Sequence, residues 1–162
     1  MSKTGGWWSR RTLRNWILLS LVLIIHTSAS AGRNRAEYNA RKLKNIVKEL
    51  RKQLGIPEEI GVVVVPKNEL VVSVQPVAGR SGAFEISFEE SFLNMLDEED
   101  LHAVVAHELG HVWIFTHHPY LQTEELANTI AYKAVTAHSL DRVYEKLRAR
   151  PIVRGNLAAS MH

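Results

Sequence analysis

Two histidines four positions apart, with a glutamate directly after the first, stand inside a stretch that reads as continuous helix: Ala106-His107-Glu108-Leu109-Gly110-His111. Four residues advance a helix slightly more than one turn, so His107 and His111 leave one face and their ring nitrogens can meet on one cation. The chain has no cysteine, which excludes a disulfide framework, thiolate ligation and a Cys nucleophile. A transition metal must then be held by His, Asp or Glu. Zinc held by two imidazoles leaves room for a water whose pKa falls from about 15.7 toward 7, and Glu108 is placed to take that water's proton. Gly110 costs about 1 kcal/mol relative to Ala in a helix interior. Close approach of another backbone explains it.

A catalytic zinc takes a third protein ligand and keeps a fourth position open. His117 has the spacing of the third histidine in H-E-x-x-H-x-x-G-x-x-H, but the glycine of that pattern is Ile114 here. The helix therefore continues and carries His117 about 9 Å along its axis from His111. His117 and His118 read as polar or loop residues. The stronger candidate is Glu124, in Thr123-Glu124-Glu125-Leu126-Ala127-Asn128. Asn128 shares its helical face and could accept the outer N–H of a ligating histidine. Glu125 is the rival, otherwise read as a carboxylate favoured by the helix dipole. Tyr120, Tyr132 and His138 are chemically able to steady an oxyanion.

Around this segment the periodicities predict a small mixed architecture. Residues 33–54 carry apolar side chains at helical spacing, stopped by Gly55-Ile56-Pro57, with a basic outer face (Arg41, Lys42, Lys44, Lys48, Arg51, Lys52) read as solvated. Ile60–Val65 and Leu70–Val74 are rich in β-branched residues and read as a hairpin of buried strands about Pro66–Glu69. Ala83–Ser87 alternates as a third strand. Ser87 with Glu90 has capping-box spacing for a short helix, and Asp97 with Asp100 opens the helix that holds the histidine pair, ended by Pro119. Thr123 caps a last helical region running to about Arg150, with a break expected near His138-Ser139.

At 162 residues with 46% apolar side chains, the chain fits one domain after a leader. Residues 1–31 hold Lys3, Arg10, Arg11, Arg14 and no acid, then the apolar run Trp16–Ile25, then Ala29-Ser30-Ala31. These are the three parts of a secretory signal peptide, with residues 32–162 as the mature domain. The run is about half the ~20 apolar residues a bilayer core takes, so an uncleaved anchor is the alternative. Ser9-Arg10-Arg11 also resembles a twin-arginine signal. Either way the domain is expected to be exported, periplasmic or secreted, with membrane contact only if the leader stays. With four of the 20 basic residues in the leader, 16 face 17 acids in the rest. That balance shrinks the electrostatic footprint for a nucleic-acid partner to the basic face of residues 33–54, which could touch nucleic acid or anionic lipid but is read as solvated, so no nucleic-acid partner is expected.

The segment Leu101–Val112, preceded by Phe84-Glu85-Ile86-Ser87 and a short apolar helix, resembles the gluzincin metallopeptidases of the M48 type. Glu124-x-x-Ala127-Asn128 is similar to their E-x-x-A-D segment, its asparagine being closer to the E-x-x-A-N of M78-type peptidases. The resemblance implies zinc bound by His107, His111 and Glu124, Glu108 as base and later proton donor, and Ala83–Ser87 as the edge strand along which an extended peptide lies. The fold it implies is α+β and zincin-like: a small mixed or antiparallel sheet packed on the H-E-x-x-H helix, with helices around it. The expected function is a zinc-dependent endopeptidase acting on peptide or protein substrates. The alternative is a catalytically silent zincin-like peptide-binding protein, marked by a blocked fourth zinc position, or a membrane-associated regulatory protein.

Overall fold

The computed structural model describes residues 37–150; the leader expected over residues 1–31 lies outside the described residues. From Asn39 onward the described residues belong to one compact unit. Helix α1 spans residues 37–54 and contributes Leu43, Ile46, Val47, Leu50 and Leu54 to the core. It stops where Gly55 takes a φ of 69° and the Ile56 N–H returns to the Arg51 carbonyl at 2.9 Å, the left-handed glycine ending that side chains with a Cβ resist. Most of its basic residues are exposed, and Lys42 pairs with Glu98 at 3.0 Å.

Three strands follow, β1 (Glu59–Val65), β2 (Val72–Pro76) and β3 (Ala83–Glu89). They form one mixed sheet in the order β1-β3-β2, with β1 parallel and β2 antiparallel to β3. The expected β1–β2 hairpin is therefore not formed. The reason lies in the connections. Residues 77–82 carry Gly79 and Gly82 at positive φ and return β2 directly onto β3, whereas residues 66–71 are long enough to carry the chain past the central position. β3 takes the centre as the most buried of the three strands, with Phe84, Ile86 and Phe88 of one face buried and Glu85 and Ser87 of the other half-buried, the alternation the sequence carries. It is thus no edge strand, and the two edges belong to β1 and β2.

Ser87 lies within β3 opposite Ser73, so the Ser87–Glu90 capping box does not form. The short helix α2 (Glu90–Leu93) instead starts after Glu89, without a side-chain cap. Helix α3 (Glu98–His117) opens on the expected box, in which Asp97 Oδ1 accepts from the Asp100 N–H (2.9 Å) and Asp100 Oδ2 from the Asp97 N–H (3.0 Å). Residues 103–110 are all buried, so α3 is the central helix, packed between the sheet and the later helices. After a 3₁₀ turn at Pro119–Leu121, Thr123 caps α4 (Glu124–Ala131) and Thr136 caps α5 (Ala137–Arg148). The break falls at residues 132–136, earlier than expected, because the Thr136 hydroxyl accepts from the Ser139 N–H and starts a new helix there. Among the described residues no helix is long and apolar enough to cross a membrane.

Candidate metal centre and its cleft

The centre is assembled where α4 crosses α3. Gly110 makes the crossing possible: a Cβ on it would lie 2.5 Å from the carbonyl oxygen of Ala127, a separation that Cβ atoms do not tolerate. This close approach brings Glu124, at the first turn of α4, over the histidine face of α3. The Nε2 atoms of His107 and His111 lie 3.2 Å apart. Glu124 Oε2 stands 3.2 Å from the first and its Oε1 3.4 Å from the second. One ligand atom from each of the three residues falls within 4.8 Å of the others, so the group could hold a metal ion.

The outer ring nitrogens are held as well. His107 Nδ1–H donates to Asn128 Oδ1 at 2.7 Å, and His111 Nδ1–H donates to Gln122 Oε1 at 3.1 Å. With the protons on Nδ1, both Nε2 lone pairs face the Glu124 carboxylate. The cluster is a convergence of acceptors that requires a cation or an added proton at its middle, which is the donor set a divalent ion fits. The titration directions agree. With a proton added at Nε2, hydrogen bonds from His107 and then His111 hold the Glu124 carboxyl well below the usual carboxylate range, against the effect of burial. Burial works against a charged His111 ring, but its bonds to Glu124 and Gln122 and the nearby Glu108 charge outweigh that and raise its pKa.

Glu108 is 6% exposed and lines the same cavity as the two histidines. Burial pushes its carboxyl up, with the His107 and His111 charges opposing. The cavity measures 1490 Å³ and runs from β2 and the loop before it, past the histidines and Glu124, to Leu140, Val143 and Tyr144 of α5. Tyr144 donates its O–H to Asn128 Oδ1 at 3.0 Å, and its ring stands edge-on to His107 with centroids 6.1 Å apart. Burial raises the pKa of this phenol.

The structure thus brings together His107, His111, Glu124, Glu108 and Asn128 from the sequence-derived set. Glu125 is not part of the cluster. His117 stacks on Trp113 at 4.2 Å and bonds its carbonyl, and neither it nor His118 joins the cluster. Tyr120, Tyr132 and His138 do not line the cavity, and Tyr120 is 98% exposed. Gln122 and Tyr144 carry no motif or spacing signal. Both reach the histidines from other segments, and only tertiary structure reveals them.

No curated protein matches the chain. Two solved structures are similar to it over 65% of its length. One is the metallopeptidase zymogen abylysin of Pyrococcus abyssi, at 18% identity over 90% of that chain with a TM-score of 0.47. The other is the metallopeptidase zymogen jannalysin of Methanocaldococcus jannaschii, at 21% identity over 93% of that chain with a TM-score of 0.48. Residues 37–153 match the family model of peptidase family M48, and this span holds every member of the cluster and the cleft beside it. By that match over most of its length, the chain belongs to peptidase family M48 and is a metallopeptidase.

Proposed function

We propose that the protein is an exported zinc-dependent endopeptidase. The observation that carries the reading is the meeting of His107, His111 and Glu124 at one point, directly beside the buried carboxyl of Glu108 and open to a long cleft. These three residues would hold the ion. When bound, it supplies Lewis-acid activation of water and of the scissile carbonyl. The chain supplies the rest. Asn128 and Gln122 fix the ring orientations of His107 and His111. Glu108, its proton affinity raised by burial, accepts a proton from the attacking water and returns it to the leaving nitrogen. The peptide lies extended along the outer edge of β2, which forms one wall of the cleft and has no strand partner on that side among the described residues. Export rests on the composition of residues 1–31, with its basic start, apolar run and Ala29-Ser30-Ala31.

The test is a zinc determination paired with a peptidase assay on Glu108→Gln. The reading requires about one zinc per chain in both proteins and hydrolysis lowered about 10²–10⁴-fold in the variant. Cleavage at the parent rate in Glu108→Gln would remove Glu108 from the mechanism.

A further inference from the structure

The outer edge of β2 is chemically lopsided. In its ladder with β3, the Glu89 N–H bonds the Val71 carbonyl (2.8 Å) and the Val77 N–H bonds the Ala83 carbonyl (2.9 Å), with Val72 to Pro76 in register between them. In an antiparallel pair, alternate residues turn both main-chain groups to the same side. Residues 71, 73, 75 and 77 therefore face β3, and Val72, Val74 and Pro76 face the cleft. Two of the three N–H positions on that side are lost. Pro76 has none, and the Val72 N–H is tied back to the Leu70 carbonyl at 2.7 Å. The tie closes a tight turn about Val71, a β-branched residue held at a φ of 69° with its side chain buried. That conformation is rare for such a residue and persists only where the surroundings enforce it. Here the Val71 N–H bonds the Asn68 carbonyl at 2.9 Å, and the Asn68 amide bonds the Ser73 hydroxyl and the Ser87 carbonyl, both at 3.1 Å.

We infer that β2 reads a substrate through three carbonyls, those of Val72, Val74 and Pro76, and the lone N–H of Val74, so that it selects peptides by N–H groups at three alternate residues. The inference rests on the peptidase reading for its occupant, an extended peptide laid antiparallel on β2. The peptide residue opposite Val74 exchanges two hydrogen bonds with it. The residues opposite Val72 and Pro76 can each donate one hydrogen bond to a β2 carbonyl, and their own carbonyls find no N–H donor there. Proline and N-alkylated residues are thus excluded at these three positions and accepted at the residues between them. One peptide carbonyl is recognised, and the others on that side go unread. Pro76 and the Val71 turn act as specificity determinants through the donors they withhold.

The experiment uses a fluorescein-labelled nonapeptide and a set of versions N-methylated at one residue each. Binding to the zinc-loaded Glu108→Gln chain is followed by anisotropy, and cleavage by the parent chain is followed in parallel. Three alternate positions should each weaken binding about fivefold on methylation, the worth of one net hydrogen bond. Pro76→Ala, with folding checked by its thermal transition, restores a donor and should tighten the parent peptide by a similar factor. A peptide cut short before the residue opposite position 76 should gain nothing from it. Methylation costs without the alternation, or a Pro76→Ala chain that binds both peptides as before, would overturn the inference while leaving the peptidase reading intact. The alternating pattern in binding with no cleavage by the parent chain would support the inference and remove the peptidase.

Discussion

Asn128 Oδ1 accepts from the His107 ring and from the Tyr144 hydroxyl at once, so a single amide sets the tautomer of one ring of the cluster and is itself held by the wall of the cleft. Its place was legible in the sequence because Glu124 and Asn128 are one helical turn apart. Tyr144 was not, since it arrives from α5 and no local pattern links it to His107. Removing the acceptor in Asn128→Ala leaves the His107 Nδ1–H unpaired and its ring free to turn. Zinc affinity should fall about 10–100-fold, measured by competition with a chromophoric chelator. Tyr144→Phe keeps that acceptor and should cost much less. An Asn128→Ala chain that binds zinc as tightly as the parent would show that the ring is positioned by its neighbours on α3 alone.

At the scale of elements, most parts governed by short-range rules were readable, while the Ser87–Glu90 box, overridden by strand pairing, and the sheet order were not. The Asp97–Asp100 box, the Thr123 cap and the helical face of the histidine pair are set by residues three or four apart, and each stands where periodicity and capping place it. Sheet order depends on which strand fills the most buried position. That is a competition between Val62 to Val65 and Phe84 to Phe88 that β-propensity does not resolve. Gly110 links the two cases. Its helix-interior cost was visible, and its reason is the Ala127 backbone. Gly110→Ala gains about 1 kcal/mol of helix propensity. It also places a Cβ against the α4 backbone, an overpacking that costs about 1–3 kcal/mol. The balance should come out destabilising, because α3 and α4 are both rigid there. α4 is driven off α3 and Glu124 off the rings, so zinc affinity should drop by more than the thermal transition alone suggests. Unchanged zinc affinity in a folded Gly110→Ala chain would mean that the crossing does not set the ligand geometry.

Across the whole molecule, α5 and the residues that follow it are fastened to the central strand β3 and to α3, the helix that carries the histidine pair. At its C-terminal end Arg150 pairs with Glu89 at the end of β3, where Ser91 and Arg150 hold the Glu89 carboxyl below its ordinary range. Along its length Arg142 bonds Asp100 Oδ1 at 2.7 Å and Lys146 pairs with Asp100 Oδ2, clamping α5 onto the first turn of α3. Asp100 is fully buried. Burial alone would raise its pKa, but the bonds from Lys146 and the Asp97 N–H and the charges of Lys146 and Arg142 more than offset it, and the net direction is down. A carboxyl whose native pKa is depressed stabilises the fold fully above its unfolded value of about 3.9 and loses that contribution as pH falls through the native value. Asp100→Asn therefore removes stability at neutral pH. The cost should be about 3 kcal/mol, the low end for breaking a buried ion pair, since both cations remain partly in water. In urea denaturation followed from pH 7 down to pH 2, the parent chain should lose stability below about pH 4 more steeply than the variant, by up to one proton in the slope. Parallel acid limbs for the two proteins would show that the clamp works through packing and not through the Asp100 charge.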